Sequence, residues 1–365
     1  MKTGASGGNR THIYGFGDRY TIHCATPAKL SRENRAGILR CRVQRRFGVT
    51  FLTKKKASGR GIDRLHCTDM NLLSVEPRRL VIFGAGYVGA VVAQQALARG
   101  LRVTALTRNA EKACALSVAG ADVIIADLAD TDWHERLPEG ADLVLNCVSS
   151  GGGGPEGYWH SYVEGMKSVL SWAGQVPVGS LVYTSSTSVY PQGGGARVDE
   201  SASIESTRLE GNALVEAEDR LLNSGTRGFV LRLAGIYGPG RHYLLDQLRS
   251  GCGEIAGLGG HRLNLIHRDD IAGAIWAALE APIELCGGVF NVADDGAATK
   301  ADVAAFLAGK LGLPAPLFTG ESAPGRRRVT PDRVIANDKI KQVLGWQPQY
   351  PTFREGYEAY FAKAK

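Results

Sequence analysis

Two stretches carry residue types that could do chemistry. Residues 181–190 read LVYTSSTSVY, an apolar run entering a cluster of hydroxyls, with Ser186 four residues before Tyr190. A hydroxyl so placed can hydrogen-bond a substrate carbonyl, and it can equally be a polar turn. Reduction of a carbonyl also requires a general acid. Residues 84–89 read GAGYVG, so Gly84, Gly86 and Gly89 make GxGxxG. The first glycine permits a tight turn, the second lets backbone approach a pyrophosphate, and the third lets helix and strand pack closely. Tyr87 and Val88 belong to the same loop. It leads from the strand-like run Leu80–Phe83 into a segment with Val91, Val92, Ala96 and Leu97 at helical spacing, which puts a helix N-terminus at the phosphates.

The elements that must position these groups follow at regular intervals. Strands are expected near 80, 103, 123, 143 and 182, with helical patterns between them, which describes an α/β doubly wound parallel sheet of the Rossmann type. Ligands of such sheets lie outside the carboxyl ends of the strands. The second strand ends in Thr107-Arg108, with no carboxylate before Glu111. A carboxylate there holds a ribose 2′-hydroxyl, whereas an arginine suits a 2′-phosphate. NADP(H) is therefore expected over NAD(H), unless Arg108 is only a solvated loop cation. Asp127 and Leu128 end the third strand, where they would meet the adenine. The segment after the fourth strand, Asn146–Ser150 with Val148 inside it, would edge the cofactor cleft.

Composition narrows the partners. The 365-residue chain has a formal charge of +7, but residues 1–70 hold 15 basic against 4 acidic residues. The rest has 28 basic against 32 acidic and no basic stripe that could follow a phosphate backbone. No nucleic-acid partner is expected. Seven scattered cysteines show no CxxC or Cys/His spacing, so neither a metal nor a disulfide framework is expected. No apolar run approaches the roughly 20 residues of a membrane helix. A cytoplasmic protein, monomer or homodimer, with a small-molecule substrate is the expectation. Residues 1–75 lack helical or strand periodicity and read as an irregular basic extension. They fit, in order of preference, a reading frame carried upstream of Met70, a transit peptide, or a nucleic-acid-binding arm.

From about residue 78 onward the chain resembles the extended short-chain dehydrogenase/reductases, the group that contains nucleotide-sugar epimerases and dehydratases. The resemblance rests on GAGYVG, LVYTSSTSVY, LRLAGIYGPGR (231–241), LNLIHRDDIAGAI (263–275), GVFNVADD (288–295) and LGWQPQYPTFREG (344–356), in the family's order. It implies that Ser186 binds the substrate oxygen, and that residues 76–240 form the dinucleotide-binding core. Residues 241–365 would form a small mixed α/β substrate lobe interleaved with returning core elements. Arg326, Arg327, Arg328 and Arg333 could there clamp an acidic substrate or form a solvated loop. The family's acid is a tyrosine with lysine four residues on. Here no tyrosine has lysine at +4, and no lysine occurs between Lys167 and Lys300. Alignment of the helix STRLEGNALVEAEDRLLNSG puts Glu210 at the tyrosine and Leu214 at the lysine. Glu210, Tyr237 and His267 remain as proton donors, each with a bland alternative: a solvated helix face, a packing residue, a structural link. The expected function is an NADP(H)-dependent oxidoreductase or epimerase for a small polar or nucleotide-sugar-like substrate. The alternative is a non-catalytic NADP(H)-binding or redox-sensing protein.

Overall fold

The computed structural model describes residues 77–150, 153–204, 209–251, 253–320 and 331–363, and the side chains of 209 and 210 also fall outside the description. The N-terminal extension and Arg326–Arg328 lie outside the described residues. Seven strands, β1 (Arg79–Phe83), β2 (Arg102–Thr107), β3 (Asp122–Ile125), β4 (Ala141–Asn146), β5 (Val178–Ser186), β6 (Gly228–Leu233) and β7 (Gly287–Val292), make one sheet in the order β7-β6-β5-β4-β1-β2-β3. Every pairing is parallel, with Val81 opposite both Thr104 and Val144. The order reverses between β1 and β4, and the crevice that opens there is where such sheets bind ligands.

The strands read as continuous apolar runs because both faces of the sheet are covered. Along β1, Leu80 and Ile82 enter one apolar cluster while Val81 and Phe83 enter another. The first cluster takes Val92, Ala93 and Ala96 of helix α1 (Gly89–Ala98). Helix α2 (Ala110–Val118) follows β2. The second cluster takes Met166, Val169 and Trp172 of α3 (Gly165–Ala173) and Ala217 and Leu221 of α4 (Leu209–Leu222). Its tryptophans bury their N–H groups on carbonyls, Trp133 on Leu128 at 3.2 Å and Trp172 on Leu137 at 2.9 Å, which satisfies polar groups that burial would otherwise penalise.

The C-terminal third serves two cores. Helix α5 (Arg268–Leu279) and β7 pack into the first cluster. Leu244, Leu245, Ile255, Val303, Leu307 and Phe353 build a third cluster of their own. The two regions are tied by Asp270, whose carboxylate accepts the backbone N–H groups of Gln349 at 2.6 Å and Tyr350 at 3.2 Å. That contact gives a physical reason for both the IHRDD and the LGWQPQYP segments. Among the described residues no helix is long and apolar enough to cross a membrane, and no group of three or more His, Cys, Asp or Glu could hold a metal.

Candidate active site

The cleft at the carboxyl ends of the strands has a volume of about 800 Å³. Its floor is the glycine loop. Gly84 has φ +87°, and a Cβ there would stand 2.6 Å from the backbone N and Cα of Val148. A Cβ on Gly89 would meet the carbonyl oxygen of Gly84 at 2.7 Å and the Cys147 sulfur at 2.8 Å. Gly86 differs: a Cβ there would meet nothing closer than 3.9 Å, so it would project into the cradle instead. Helix α1 starts here with no acidic residue in its first turn, which leaves its positive end to an anion. Gly84, Gly86, Tyr87, Val88 and Val148 line the cleft, whereas Gly89 lies beneath it as a packing residue. The cradle fits a dinucleotide pyrophosphate.

On the β2 side Arg108 and Lys112 line the cleft with Asn109 between them. Asn109 caps α2, accepting the Lys112 N–H at 2.8 Å, which fixes where the two cations start. Arg108 donates to Asp127 at 3.3 Å, and His160 contacts the same carboxylate at 3.1 Å. Burial pushes the Asp127 carboxyl up, but the Ala129 N–H, His160 and Arg108 outweigh it and hold the group below its usual range. A carboxylate therefore does reach this end of the cleft, from β3 and not from β2. Leu128 lines the cleft beside it.

The wall on the β5 side carries Thr184, Ser185, Ser186, Thr187 and Ser188. Ser186 accepts the Ser188 N–H at 3.1 Å, so its own proton is available to a ligand. Arg333 holds this turn in place: it donates to the carbonyls of Thr187 at 2.8 Å and Gln192 at 3.3 Å, and also to that of Tyr190. It lines the cleft and braces the serine turn, where the sequence left it open between a substrate clamp and a solvated loop. Ser185 donates at 2.5 Å to Glu218, a fully buried carboxylate gripped by Arg232 through Nε at 3.0 Å and Nη2 at 2.6 Å. Arg232 continues to Tyr190 at 2.9 Å and Tyr190 to Asn291 at 2.8 Å. Helix α4 brings Leu214 into the cleft. The side chain of Glu210, one turn earlier, lies outside the described residues.

Two of the candidate proton donors are placed elsewhere. Tyr237 and His267 do not line the cleft. The cleft takes the starts of these two paired strands (Gly235–Tyr237 with Leu265–His267), through Gly235, Ile236 and Leu265, and Tyr237 and His267 stand at their far ends. Tyr237 stacks on Tyr357 and directs its hydroxyl at the Thr352 carbonyl, 3.5 Å away. Burial, with Asp294 and Asp270 nearby, pushes its phenol well above the usual range. His267 caps α5 by accepting the Asp269 N–H at 3.2 Å, with its ring 4.2 Å from that of Tyr350. Burial pushes its imidazole down to about 4, so it is neutral where an acid would be needed. Sequence reasoning also missed cleft residues. Tyr158, Ser161 and Tyr162 face it from the segment before α3, and Arg241 and Arg262 from the β6 side. Arg262 is paired with Asp332 at 2.9 Å.

The sequence pattern of the NAD dependent epimerase/dehydratase family matches residues 80–293. The chain belongs to this family. Protein YeeZ of Escherichia coli K12 is 31% identical over 281 residues, 75% of this chain and 97% of that protein. A conserved protein of unknown function from Silicibacter pomeroyi superposes with a TM-score of 0.63 at 27% identity, over 79% of this chain and 99% of that one. A UDP-glucuronic acid 4-epimerase from Bacillus cereus, solved with UDP-glucuronic acid and NAD, shares the fold at a TM-score of 0.65 and 20% identity, over 79% of this chain and 100% of that one. Membership of the epimerase/dehydratase family makes the chain an enzyme of the NAD(P)-dependent oxidoreductase/epimerase type.

Proposed function

We propose that this chain binds NADP(H) and reduces a carbonyl on a small, anionic, nucleotide-sugar-like substrate. The observation that carries the reading is the layout of charge along the cleft. Arg108 and Lys112 stand on the β2 side, Arg241 and Arg262 on the β6 side, and an apolar residue, Leu214, lines the wall that carries Ser186. The first pair suits a ribose 2′-phosphate, with Lys112 adding a point charge to the arginine fork. The second pair suits a phosphorylated or carboxylated substrate. When bound, the cofactor supplies a hydride. The glycine loop and the start of α1 hold its pyrophosphate, and Ser186 donates to the carbonyl oxygen and orients it.

The direction follows from Leu214. Removing a proton from an alcohol needs a base already deprotonated near neutral pH, and a lysine beside a phenol provides that by favouring the phenolate. An apolar side chain does not. Giving a proton to a nascent alkoxide needs no such depression, because the alkoxide is far more basic than any phenol. The chain is thus suited to reduction over the oxidation with which an epimerase cycle begins. The test is spectrophotometric: NADPH should be consumed with 4-keto nucleotide sugars, while NADP+ with UDP-glucose should show no reduction. Oxidation of UDP-glucose at a comparable rate would overturn the assignment.

A further inference from the structure

The reductase reading leaves one role unfilled, the group that protonates the carbonyl oxygen. Among the described residues lining the cleft, those with a carboxyl, thiol or phenol are Tyr87, Asp127, Cys147, Tyr158 and Tyr162. Asp127 is ionised and paired with Arg108 at the β2 end. Cys147 is tucked under the glycine loop, its sulfur 3.1 Å from the Gly84 carbonyl and its thiol pushed up by burial to about 12. Tyr87 is committed, donating to the Pro239 carbonyl at 3.0 Å. Two tyrosines remain, and they come from one irregular turn.

Gly154–Tyr158 is α-helical, Trp159–Glu164 winds as a π-helix, and α3 follows at Gly165. Single π-helical turns inside a helix interrupt the 3.6-residue repeat and are frequent at functional sites. This one packs against α4, the helix on which sequence alignment puts Glu210 at the acid's position and Leu214 at the lysine's. Tyr162 lies deeper than Tyr158. It packs against both apolar clusters of the sheet, whereas Tyr158 joins neither, and their rings are 5.4 Å apart. The Ser150 N–H at the end of the β4 loop faces the Tyr162 oxygen. A second observation lies behind it. The Tyr183 hydroxyl on β5 is buried without a hydrogen-bond partner, within electrostatic range of Tyr162 on one side and Glu218 on the other. The groups facing Tyr162 are therefore Tyr158 from its own helix, the Ser150 N–H, Tyr183 from β5 and, beyond that, Glu218 from α4.

We propose that Tyr162, on the helix beside α4, is the proton donor of the reduction. The inference rests on the NADP(H)-reductase reading. As the carbonyl carbon gains hydride from the reduced nicotinamide, the C=O π bond breaks and its oxygen takes the phenolic proton. The Tyr162 O–H bond breaks, an O–H bond forms on the product, and the phenolate recovers a proton from solvent. NADPH is oxidised and the carbonyl is reduced to an alcohol. Burial raises the phenol's pKa, which keeps it protonated until the alkoxide develops, and the Ser150 N–H is placed to steady the phenolate afterwards.

The test uses the charge of the oxidised nicotinamide. If Tyr162 faces the nicotinamide, NADP+ should favour its phenolate and NADPH should not. The full chain is titrated from pH 8 to 11 by absorbance near 295 nm, alone, with NADP+ and with NADPH, with binding followed separately by calorimetry. NADP+ should bring forward one phenolate per chain, and NADPH none. The signal should vanish in Tyr162→Phe and persist in Tyr158→Phe. A signal that persists in Tyr162→Phe, or none at all with NADP+ demonstrably bound, overturns the proposal while leaving the cofactor reading intact. Failure of either dinucleotide to bind overturns both. With a 4-keto nucleotide sugar, Tyr162→Phe should lower kcat by about 10²–10⁴-fold and leave the KM for NADPH unchanged. A pH–rate limb abolished by Glu210→Gln and not by Tyr162→Phe would assign the proton to Glu210.

Discussion

Replacing Arg108 by alanine should separate NADPH from NADH. A charge-assisted contact to a phosphate contributes about 1.5–3 kcal/mol. Two features of the structure place Arg108 at the lower end. Its side chain is 51% exposed, so solvent screens it, and it must share itself with Asp127 at 3.3 Å. An exposed pair of that kind is worth roughly 0–1 kcal/mol, which any move toward a 2′-phosphate would forfeit. The net loss in Arg108→Ala should be about 1–2 kcal/mol, or roughly 5–30-fold in the Kd for NADPH, with the Kd for NADH nearly unchanged. Asp127→Asn should act the other way, releasing Arg108 and removing a nearby negative charge, so that NADPH binds tighter. Because the two side chains touch, the double variant should be non-additive. Calorimetric titration of all four proteins at low and at physiological salt gives every number needed. Equal affinity of the wild-type chain for NADH and NADPH, or an equal loss for both in Arg108→Ala, would refute the reasoning.

Three further outcomes follow from the same geometry. Glu218→Gln leaves Arg232, itself 3% exposed, as an uncompensated buried charge. It should destabilise the fold by about 3–5 kcal/mol in urea titration, and a change under 1 kcal/mol would show that the pair is not buried as described. Asp294 is 4% exposed with one unpartnered oxygen, and burial, then Asp295 and Asp270, raise its carboxyl to about 8. The folded chain thus holds a proton there that the unfolded chain releases near pH 4, so stability should fall as pH rises from about 4 through 8. Asp294→Asn should flatten that decline and become the more stable protein above pH 8 by a few kcal/mol, of the order of 2–4; a thermal-melt difference independent of pH would contradict this. Ser186→Ala should cut kcat on 4-keto nucleotide sugars by about 10²-fold or more and leave NADPH affinity within error, since the hydroxyl lines the β5 wall and not the phosphate cradle. Loss of NADPH binding in that variant would place Ser186 wrongly.

How much could be read from the sequence depended on whether a signal was local. The glycine loop was legible because Gly84 and Gly89 are each forced by a backbone or side-chain contact closer than 3 Å, and only glycine meets that demand. The strands were legible because burial on both faces leaves continuous apolar runs such as RLVIF. Tyr237 and His267 were legible only as members of cleft-lining segments: a motif locates a segment, and here the cleft takes the first residues of two short strands, Gly235, Ile236 and Leu265, while the last ones make packing and capping contacts. Tyr162 was missed because a π-helical stretch obeys no 3.6-residue period, and Tyr158 because it ends the short helix that leads into it. A signal for the Glu218–Arg232 pair was present: an arginine inside the wholly buried strand GFVLRL demands a buried counter-charge. The sequence alone could not say which of the nearby carboxylates answers it.

Calorimetric titration of NADPH into the wild-type chain and into Gly86→Val tests the central claim most directly. A Cβ at Gly86 meets no atom closer than 3.9 Å, so the substitution should leave the unfolding midpoint unchanged while filling the space that the pyrophosphate needs. The account predicts one NADPH per wild-type chain and at least a 100-fold weaker Kd in the folded variant. Equal binding by the two proteins would contradict it.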